Sequence, residues 1–416
     1  MYSKIGNTLL WLAIFLFSLA LPFQLGKHFF FSFSYLSGIR IDYLAPTLYL
    51  TDLLSLPLVF ASLFILYGKR IVIKELLQKN ILIGIGFFIL VDINYIFSFS
   101  KELWFYSLIR IIQWILVFYF FWSQKHKKTV YSAVIYGLLC GSLLEVWLSL
   151  QQLTMRHSIQ GLWWYLGERR FYISTPGIAK AYLFGKEFLR PYGTFSHPNS
   201  LAGFYLLLYI FIITQKRITN SMVKSLLLIF SSFLILLSFS RSVIIIYAGL
   251  NLLYFSRQFM SCKLCMMAKV VVALFLIFLA ISISGDRDSM NKRTDFMQKS
   301  ISIIKQRPLS GSGLGSYLVA QHAYPQKFST FFEQPVHNIF LLAIAQLGLP
   351  FSLFILALIV QAVIAEIRNT SFLFPLLAVL GTGMIDHYWL TLHQNVLVTA
   401  VIFGILFVYA KKTSGT

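Results

Sequence analysis

The chain has 416 residues, of which 58% are hydrophobic and only 12% are charged, and its mean hydropathy is +0.76. A soluble protein of this length needs far more polar surface, so the composition excludes an ordinary soluble globular fold. The formal net charge of +21 would indicate nucleic-acid binding in a soluble protein. Here it fits Lys and Arg in the loops of a membrane protein, and we expect no nucleic-acid partner.

Apolar runs of about 15 to 25 residues follow one another along the chain, and helices of this length suit a bilayer. We predict about twelve transmembrane helices and therefore an all-α polytopic membrane protein. Residues 1–416 then form a single integral membrane domain. The predicted spans are 8–25, 43–66, 81–98, 103–122, 130–152, 198–214, 225–239, 242–256, 269–284, 349–366, 371–388 and 394–410.

The charge of the loops predicts the orientation of these spans. The loops around 68–80, 123–129, 215–224 and 257–268 are short and strongly basic, which places them in the cytoplasm. Arg368 and Lys411–Lys412 fall on the same side, so both termini are expected to be cytoplasmic and the protein to be multi-pass in the cytoplasmic (inner) membrane.

Two large loops, 153–197 and 285–348, then lie on the outer face. Residues 153–197 and 285–335 hold thirteen Lys and Arg between them, an excess of cations that an anionic substrate would explain.

Two short elements are expected to lie at the outer boundary of the bilayer. The apolar stretch 337–348 reaches roughly 18 Å as a helix, too short to cross a hydrocarbon core of about 30 Å. The spans on either side of Ser238–Ser242 are also short, so this turn should lie below the outer surface or thin the bilayer locally. An arginine at that depth, Arg241, is costly unless it faces protein, water or an anion.

Four ionisable residues lie inside predicted spans: Asp52, Asp92, Arg110 and Glu145. Counted from the outer end of each span they have a similar depth, and such residues usually pair or line a pathway. Pairing is the more economical interpretation, with Asp92–Arg110 as one bridge. Either interpretation predicts a polar cavity that opens outward.

Four motifs fall on the outer side. The first, Arg190–Asn199, reads RPYGTFSHPN, and the second is Ser240-Arg241-Ser242, whose guanidinium suits a phosphate oxygen. The third runs from Arg293 to Tyr317 and begins with an amphipathic surface helix over 293–306. The fourth is His337-Asn338; a lone histidine is more often structural, but its near-neutral pKa also makes it a candidate base.

In this order, over residues 185–365, the motifs resemble those of the O-antigen ligase/polymerase family. The resemblance implies a metal-independent glycosyltransferase of cell-envelope polysaccharide biosynthesis with its active site on the outer face. It would move a glycan from undecaprenyl pyrophosphate to a hydroxyl of a sugar, lipid or protein acceptor. Gln346 departs from the family, where an acidic residue often precedes the glycine, so a charge-based role at that position is in doubt.

The expected mechanism assigns a role to each candidate residue. Arg241, with Arg190 and Arg293, would bind the two phosphates, and His337 would take the proton of the acceptor hydroxyl. His197 is a supporting residue or the alternative base, and Asn338 is expected to bind substrate. We expect no cofactor and no metal. A polysaccharide transporter or flippase and a non-catalytic export scaffold remain alternatives, and ligase and polymerase are not distinguished.

Overall fold

A computed structural model describes residues 2–68, 81–258, 263–284, 287–325, 333–366 and 369–407. Most of the predicted basic loop 68–80 lies outside the described residues. Arg368 and Lys411–Lys412, which helped to orient the last spans, also lie outside them.

Helices dominate the described part of the chain. They are α1 Tyr2–Ala20, α2 Leu50–Gly68, α3 Ile81–Ile96, α4 Lys101–Gln124, α5 Lys128–Met155, α6 Pro198–Thr214, α7 Ser221–Leu237, α8 Arg241–Gln258, α9 Lys263–Ser282, α10 Arg287–Gln306, α11 Tyr317–His322, α12 Ile339–Leu347, α13 Leu349–Glu366, α14 Thr370–Gly383, α15 Tyr388–Thr391 and α16 His393–Leu406. Each of the twelve predicted spans overlaps one of these helices: α1 to α9, α13, α14 and α16.

Five of these helices, α2, α4, α5, α9 and α13, are long and apolar enough to cross a membrane. Six further apolar helices are shorter: α1, α3, α6, α7, α14 and α16. The protein is therefore mostly helical, with several candidate membrane spans, as a multi-pass membrane protein requires. The number of crossings and their orientation stay predictions.

Short strands outside the long helices correct the all-α prediction. They are β1 Gly26–His28, β2 Tyr35–Leu36, β3 Ile39–Arg40, β4 Thr47–Tyr49, β5 Lys180–Leu183 and β6 Lys186–Leu189. They pair antiparallel as β1–β4, β2–β3 and β5–β6. The predicted span 43–66 also begins too early, because residues 47–49 are strand and the helix starts at Leu50. Backbone groups in these connecting segments need partners, and the small sheets provide them.

The centre of the bundle is α6, which packs against α7, α14 and α16. All but one of its residues are buried, as expected of a helix that is apolar all round. Pro198 stands at its first turn, where a missing backbone N–H costs nothing. The start of this central helix is therefore held rigidly, and the first motif leads directly into it.

The ionisable residues inside the helices pair differently from the prediction. Arg110 Nη1 lies 2.6 Å from Asp52 Oδ1, and His393 Nε2 lies 3.1 Å from the same oxygen. Asp92 instead lies on an exposed part of α3, so the predicted Asp92–Arg110 bridge is wrong. Glu145 is fully buried and accepts hydrogen bonds from the backbone and hydroxyl of Thr194.

The two predicted helices of the second large loop are present. Helix α10 contains the predicted amphipathic segment 293–306 and begins earlier, at Arg287. It buries Phe296 and Ile303 and exposes Met297 and Ile301. Helix α12 has nine residues, about 14 Å, which is too short to cross a bilayer.

The glycine-containing loop between α10 and α11 explains the neutral residue at position 346. The Gln346 amide oxygen accepts the backbone N–H of Gly315 at 3.1 Å. The Asn94 amide donates to the backbone carbonyls of Gln346 and Ser310, both at 2.8 Å. Gln346 thus serves as a neutral partner for backbone groups, and no charge is needed there.

Candidate functional site

A cavity of about 850 Å³ opens among the segments that connect the helices at one end of the bundle. Hydrogen bonds hold these segments together: Thr194 donates to the Pro22 carbonyl at 2.8 Å, and Asn338 to the Met384 carbonyl at 3.0 Å. The cavity is lined from the segment before α2, the loop 153–197, the start of α6, the residues before α12 and the α14–α15 connection. Asp52, Asp92, Arg110 and Glu145, from which a polar cavity was predicted, do not line it.

Three ionisable side chains meet in its wall: His337, Asp386 and His387. One nitrogen or oxygen from each lies within 4.8 Å of the others. The two imidazole centroids are 5.1 Å apart, and the His387 backbone N–H donates to Asp386 Oδ1 at 2.8 Å. This His337–Asp386–His387 cluster is the most concentrated titratable group that lines the cavity.

The cluster also has the donor atoms to hold a metal ion, since two imidazoles and a carboxylate are common ligands. However, Arg293 Nη2 lies 4.0 Å from Asp386 Oδ2, and the Asn199 amide donates to that oxygen at 2.9 Å. The carboxylate is thus already balanced by a guanidinium. A cation placed here would be repelled by Arg293.

Burial sets the protonation of the cluster. It lowers the pKa of His337 to about 3, where Asp386 acts to raise the pKa and His387 and Arg293 lower it. It also lowers the pKa of His387. The pKa of Asp386 lies below its usual range because His337, His387 and Arg293 outweigh the opposing effect of burial. At neutral pH the site therefore holds neutral imidazoles beside a carboxylate.

His197 is the second predicted histidine, and it caps α6. Its Nδ1 accepts the backbone N–H of Asn199 at 3.1 Å, and the residue lines the cavity. Burial and the charge of Arg190 lower its pKa to about 3. Of its two ring nitrogens, Nδ1 has this capping role and Nε2 is the one left for a ligand.

The first two motifs are tied to the cluster through Asn199. Its Oδ1 accepts from Arg190 Nη2 at 2.6 Å and from the Ser240 hydroxyl at 3.0 Å. Its Nδ2 donates to Asp386. One amide thus joins the RPYGTFSHPN stretch, the Ser240–Ser242 turn and the α14–α15 connection.

The three predicted phosphate-binding arginines approach one another beside the cavity without lining it. Arg190 is half-buried and donates to the Ser238 carbonyl at 2.8 Å. Burial lowers its pKa to about 10, and the nearby charges of Arg293 and Arg241 add to the effect. Arg293 donates to the Ile385 carbonyl at 3.2 Å. Arg241 is exposed at the start of α8. Of the surroundings predicted for it, which were protein, water or an anion, enclosure by protein is therefore excluded.

Asn338, predicted to bind substrate, has a structural task. Its Oδ1 accepts the backbone N–H groups of Phe340 and Leu341 at 2.9 and 3.0 Å, which caps α12. Its Nδ2 is bonded to the Met384 carbonyl. Asparagine is a preferred residue at a helix start for this reason, and here it also fixes the residues next to His337.

Sequence reasoning missed Asp386, His387 and the arginine pair Arg169–Arg170. The predicted span 371–388 included Asp386 and His387, but α14 ends at Gly383, so both lie in a connection beside the cavity. The sequence did contain one signal for Asp386 and His387. Two ionisable residues inside an apolar run are costly in a membrane, so they indicate that the span ends before them or that they have a function. Arg169 and Arg170 carried no such signal, since loop arginines are common.

Comparison with known proteins adds a family relationship to this geometry. Residues 226–357 match the sequence model of the Wzy_C family, O-Antigen ligase. This segment is similar to the O-antigen ligase family. Its members are glycan ligases and polymerases, that is, transferases of lipid-linked glycans in a membrane.

The O-antigen ligase segment confirms the predicted resemblance over the part of the chain that it covers. It includes Arg241, Arg293 and His337, whereas Arg190, His197 and Asp386 lie outside it. No curated protein matches the chain. The roles of individual residues therefore depend on the geometry.

Proposed function

We propose that this protein transfers a glycan from undecaprenyl pyrophosphate to an acceptor hydroxyl, in the building of a cell-surface polysaccharide. The observation that carries the proposal is His337, a half-buried neutral imidazole, beside Asp386 in a cavity next to Arg190 and Arg293. The O-antigen ligase segment supports the same class of donor. A donor with a pyrophosphate leaving group already contains the activated bond, so no nucleotide is needed.

The proposed reaction is a single displacement at the anomeric carbon of the donor sugar. The acceptor oxygen forms a bond to that carbon, and the carbon–oxygen bond to the diphosphate breaks. Undecaprenyl diphosphate leaves with the bonding electron pair. His337 takes the proton of the acceptor hydroxyl, and the arginines stabilise the negative charge that develops on the leaving diphosphate.

Asp386 gives His337 its basicity in this scheme. Its negative charge favours the imidazolium that forms when the proton is taken, as shown by its raising effect on the pKa of His337. Arg241, Arg190 and Arg293 would hold the diphosphate at the side of the cavity where they converge. His197, the alternative base in the sequence prediction, reaches the same cavity. Because its Nδ1 accepts the Asn199 N–H, Nε2 of the neutral ring carries the hydrogen, so His197 can donate a hydrogen bond there and His337 is the proposed base.

The proposed placement in the membrane follows from the predicted orientation. With twelve crossings and both termini in the cytoplasm, the cavity and the loops 153–197 and 285–348 face outward in the cytoplasmic membrane. The lipid-linked glycan would enter from the outer leaflet with its diphosphate at the boundary. This agrees with the position of the cavity at one end of the helix bundle.

Transfer by purified protein in detergent, with purified undecaprenyl-pyrophosphate-linked glycan, tests the proposal. His337→Ala should lower the rate at least 10²-fold, the lower end of the usual contribution of a general base. His126→Ala is the matched control, because His126 is exposed in the α4–α5 connection. Transfer without any gradient excludes the transporter alternative, and an unchanged rate with His337→Ala removes His337 from the mechanism.

A further inference from the structure

The cavity has a second group of arginines, separate from the three assigned to the diphosphate. Arg40, Arg169 and Arg170 line it together with the cluster residues; we name these three the arginine wall. Arg190, Arg241 and Arg293 do not line it. A site for the diphosphate alone leaves the arginine wall without a role.

The turn that carries two of these arginines is built rigidly. Residues 161–166 form a 3-10 helix, and Gly167 follows with a φ of +97°, a left-handed conformation that suits glycine. The Glu168 carboxylate then turns inward, where it accepts the backbone N–H of Ile159 at 2.8 Å and the Gln152 amide at 2.8 Å. This leaves Arg169 and Arg170, both exposed, on the cavity side of the turn.

The carboxylates of the cavity leave Arg169 and Arg170 without an acidic partner in the part of the chain that the structure describes. Glu168 is buried in its turn and Asp386 accepts from Asn199. Asp42 pairs with Arg40 at 3.5 Å, so within the arginine wall only Arg40 has a described carboxylate beside it. Glu333 is buried and lies 3.3 Å from His322 Nδ1. Within the described ranges, no carboxylate oxygen lies within 4.0 Å of a guanidinium nitrogen of Arg169 or Arg170.

Arg169 also connects the arginine wall to the segment that carries His197. Its Nη1 donates to the Ser196 carbonyl at 3.0 Å, directly before His197. Arg170 makes no hydrogen bond to any described residue. Two adjacent guanidinium groups that face the same cavity repel each other, and an anion that accepts from both relieves this.

We infer that the arginine wall is a binding site for an anionic group, a phosphate or a carboxylate, carried by the acceptor. The inference rests on the proposed function, in which the diphosphate of the donor is held by the other three arginines. The hydroxyl that attacks and the anionic group would then belong to the same molecule, held between the arginine wall and His337. The class of acceptor is thus an acidic or phosphorylated glycan or glycolipid.

The test compares Arg170→Glu, Arg170→Lys and the control Lys186→Glu in the detergent transfer assay. Lys186 is an exposed cation in the same loop. The acceptor is the fraction extracted from membranes of cells that lack the protein. Arg170→Glu should raise the apparent KM for this acceptor roughly tenfold, as expected for one charge-assisted contact, and leave the KM for the donor unchanged. Arg170→Lys and Lys186→Glu should stay near the wild type.

Two treatments of the acceptor identify the anionic group. Phosphatase removes phosphate esters, and carbodiimide reduction converts carboxylates into alcohols. The treatment that removes the relevant group should raise the KM of the wild type to that of Arg170→Glu, so that the two proteins no longer differ. Added salt should raise the acceptor KM of the wild type more than that of Arg170→Glu.

Some results would overturn the inference alone. These are a rise in the donor KM with Arg170→Glu, which would place the diphosphate on the arginine wall, or equal use of treated and untreated acceptor by the wild type. Loss of folding is excluded by an unchanged thermal midpoint for Arg170→Glu. Failure of the proposed function looks different, because then the wild type transfers nothing from the lipid-linked donor or His337→Ala transfers normally.

Discussion

The imidazole of His337 can accept a proton at neutral pH because burial and the charge of Arg293 keep it uncharged. A bound diphosphate adds negative charge nearby, which raises the pKa of a neighbouring imidazole and makes it a better base. Asp386 has the same effect permanently. The pKa of His337 is thus raised by two negative groups, the Asp386 carboxylate of the protein and the diphosphate of the substrate.

The depressed pKa values predict that the protein is sensitive to acid. His197 and His337 have pKa values of about 3 in the folded protein and about 6.5 when unfolded. Between these values the unfolded chain binds more protons, so stability is complete above pH 6.5 and falls as the pH decreases toward 3. Each histidine should lower the free energy of unfolding by about 2 kcal/mol at pH 5 relative to pH 7.5.

Thermal midpoints in detergent at pH 7.5 and pH 5 measure this effect. His337→Gln should lose less stability on acidification than the wild type, because glutamine takes up no proton. His126→Gln, at an exposed position, should show the same difference in thermal midpoint between pH 7.5 and pH 5 as the wild type. Equal acid sensitivity of all three proteins would contradict this, because it would mean that His337 has the same pKa in the folded and the unfolded protein.

Asn199 is the point where separate elements meet. It begins α6, accepts from Arg190 and from Ser240 just before α8, and donates to Asp386 after α14. Because α6 is buried along its length, these hydrogen bonds hold Arg190 and Ser240 at a fixed distance from Asp386. A change in one element is therefore transmitted to the others through a single amide.

Asn199→Ala should lower the transfer rate more than tenfold, since Arg190, Ser240 and Asp386 each lose a buried partner at 1–3 kcal/mol apiece. Asn220→Ala is the matched control: Asn220 caps α7 through the Val223 N–H, and loss of a cap costs about 1 kcal/mol. Both variants should unfold at lower temperature than the wild type, but only Asn199→Ala should lose activity. Equal activities of the two at a temperature where both are folded would contradict this role.

At the scale of the whole molecule, the long helices were predictable and the site was only half predictable. Apolar runs gave the positions of the spans because each bilayer helix satisfies its own backbone. Motifs indicated Arg190, His197, Arg293 and His337 as candidates, and of these the structure places His197 and His337 in the cavity wall. The sequence did not indicate that Arg110 pairs with Asp52, since any of several helices can be its neighbour.

The connecting segments were the least predictable part. Residues 26–49 form one side of the cavity, yet the sequence predicted no structure for 26–42 and placed 43–49 in a span. Their strands arise from contacts between β1 and β4 and between β2 and β3, which depend on how α1 and α2 are spaced. A cavity wall made of several loops is a tertiary feature, and periodicity along one segment does not report it.

The orientation in the membrane leads to a prediction about cells with His337→Ala. If the cavity faces outward and the protein is a transferase, these cells should accumulate undecaprenyl-pyrophosphate-linked glycan in the outer leaflet. In spheroplasts an impermeant oxidant such as periodate should then destroy it. A lost flippase would leave the glycan in the inner leaflet, protected from periodate, and either protected glycan or no accumulation would contradict the prediction. The length of the exposed glycan decides between the two transferases, because single repeat units mean that polymerisation has failed and long chains mean that ligation has failed.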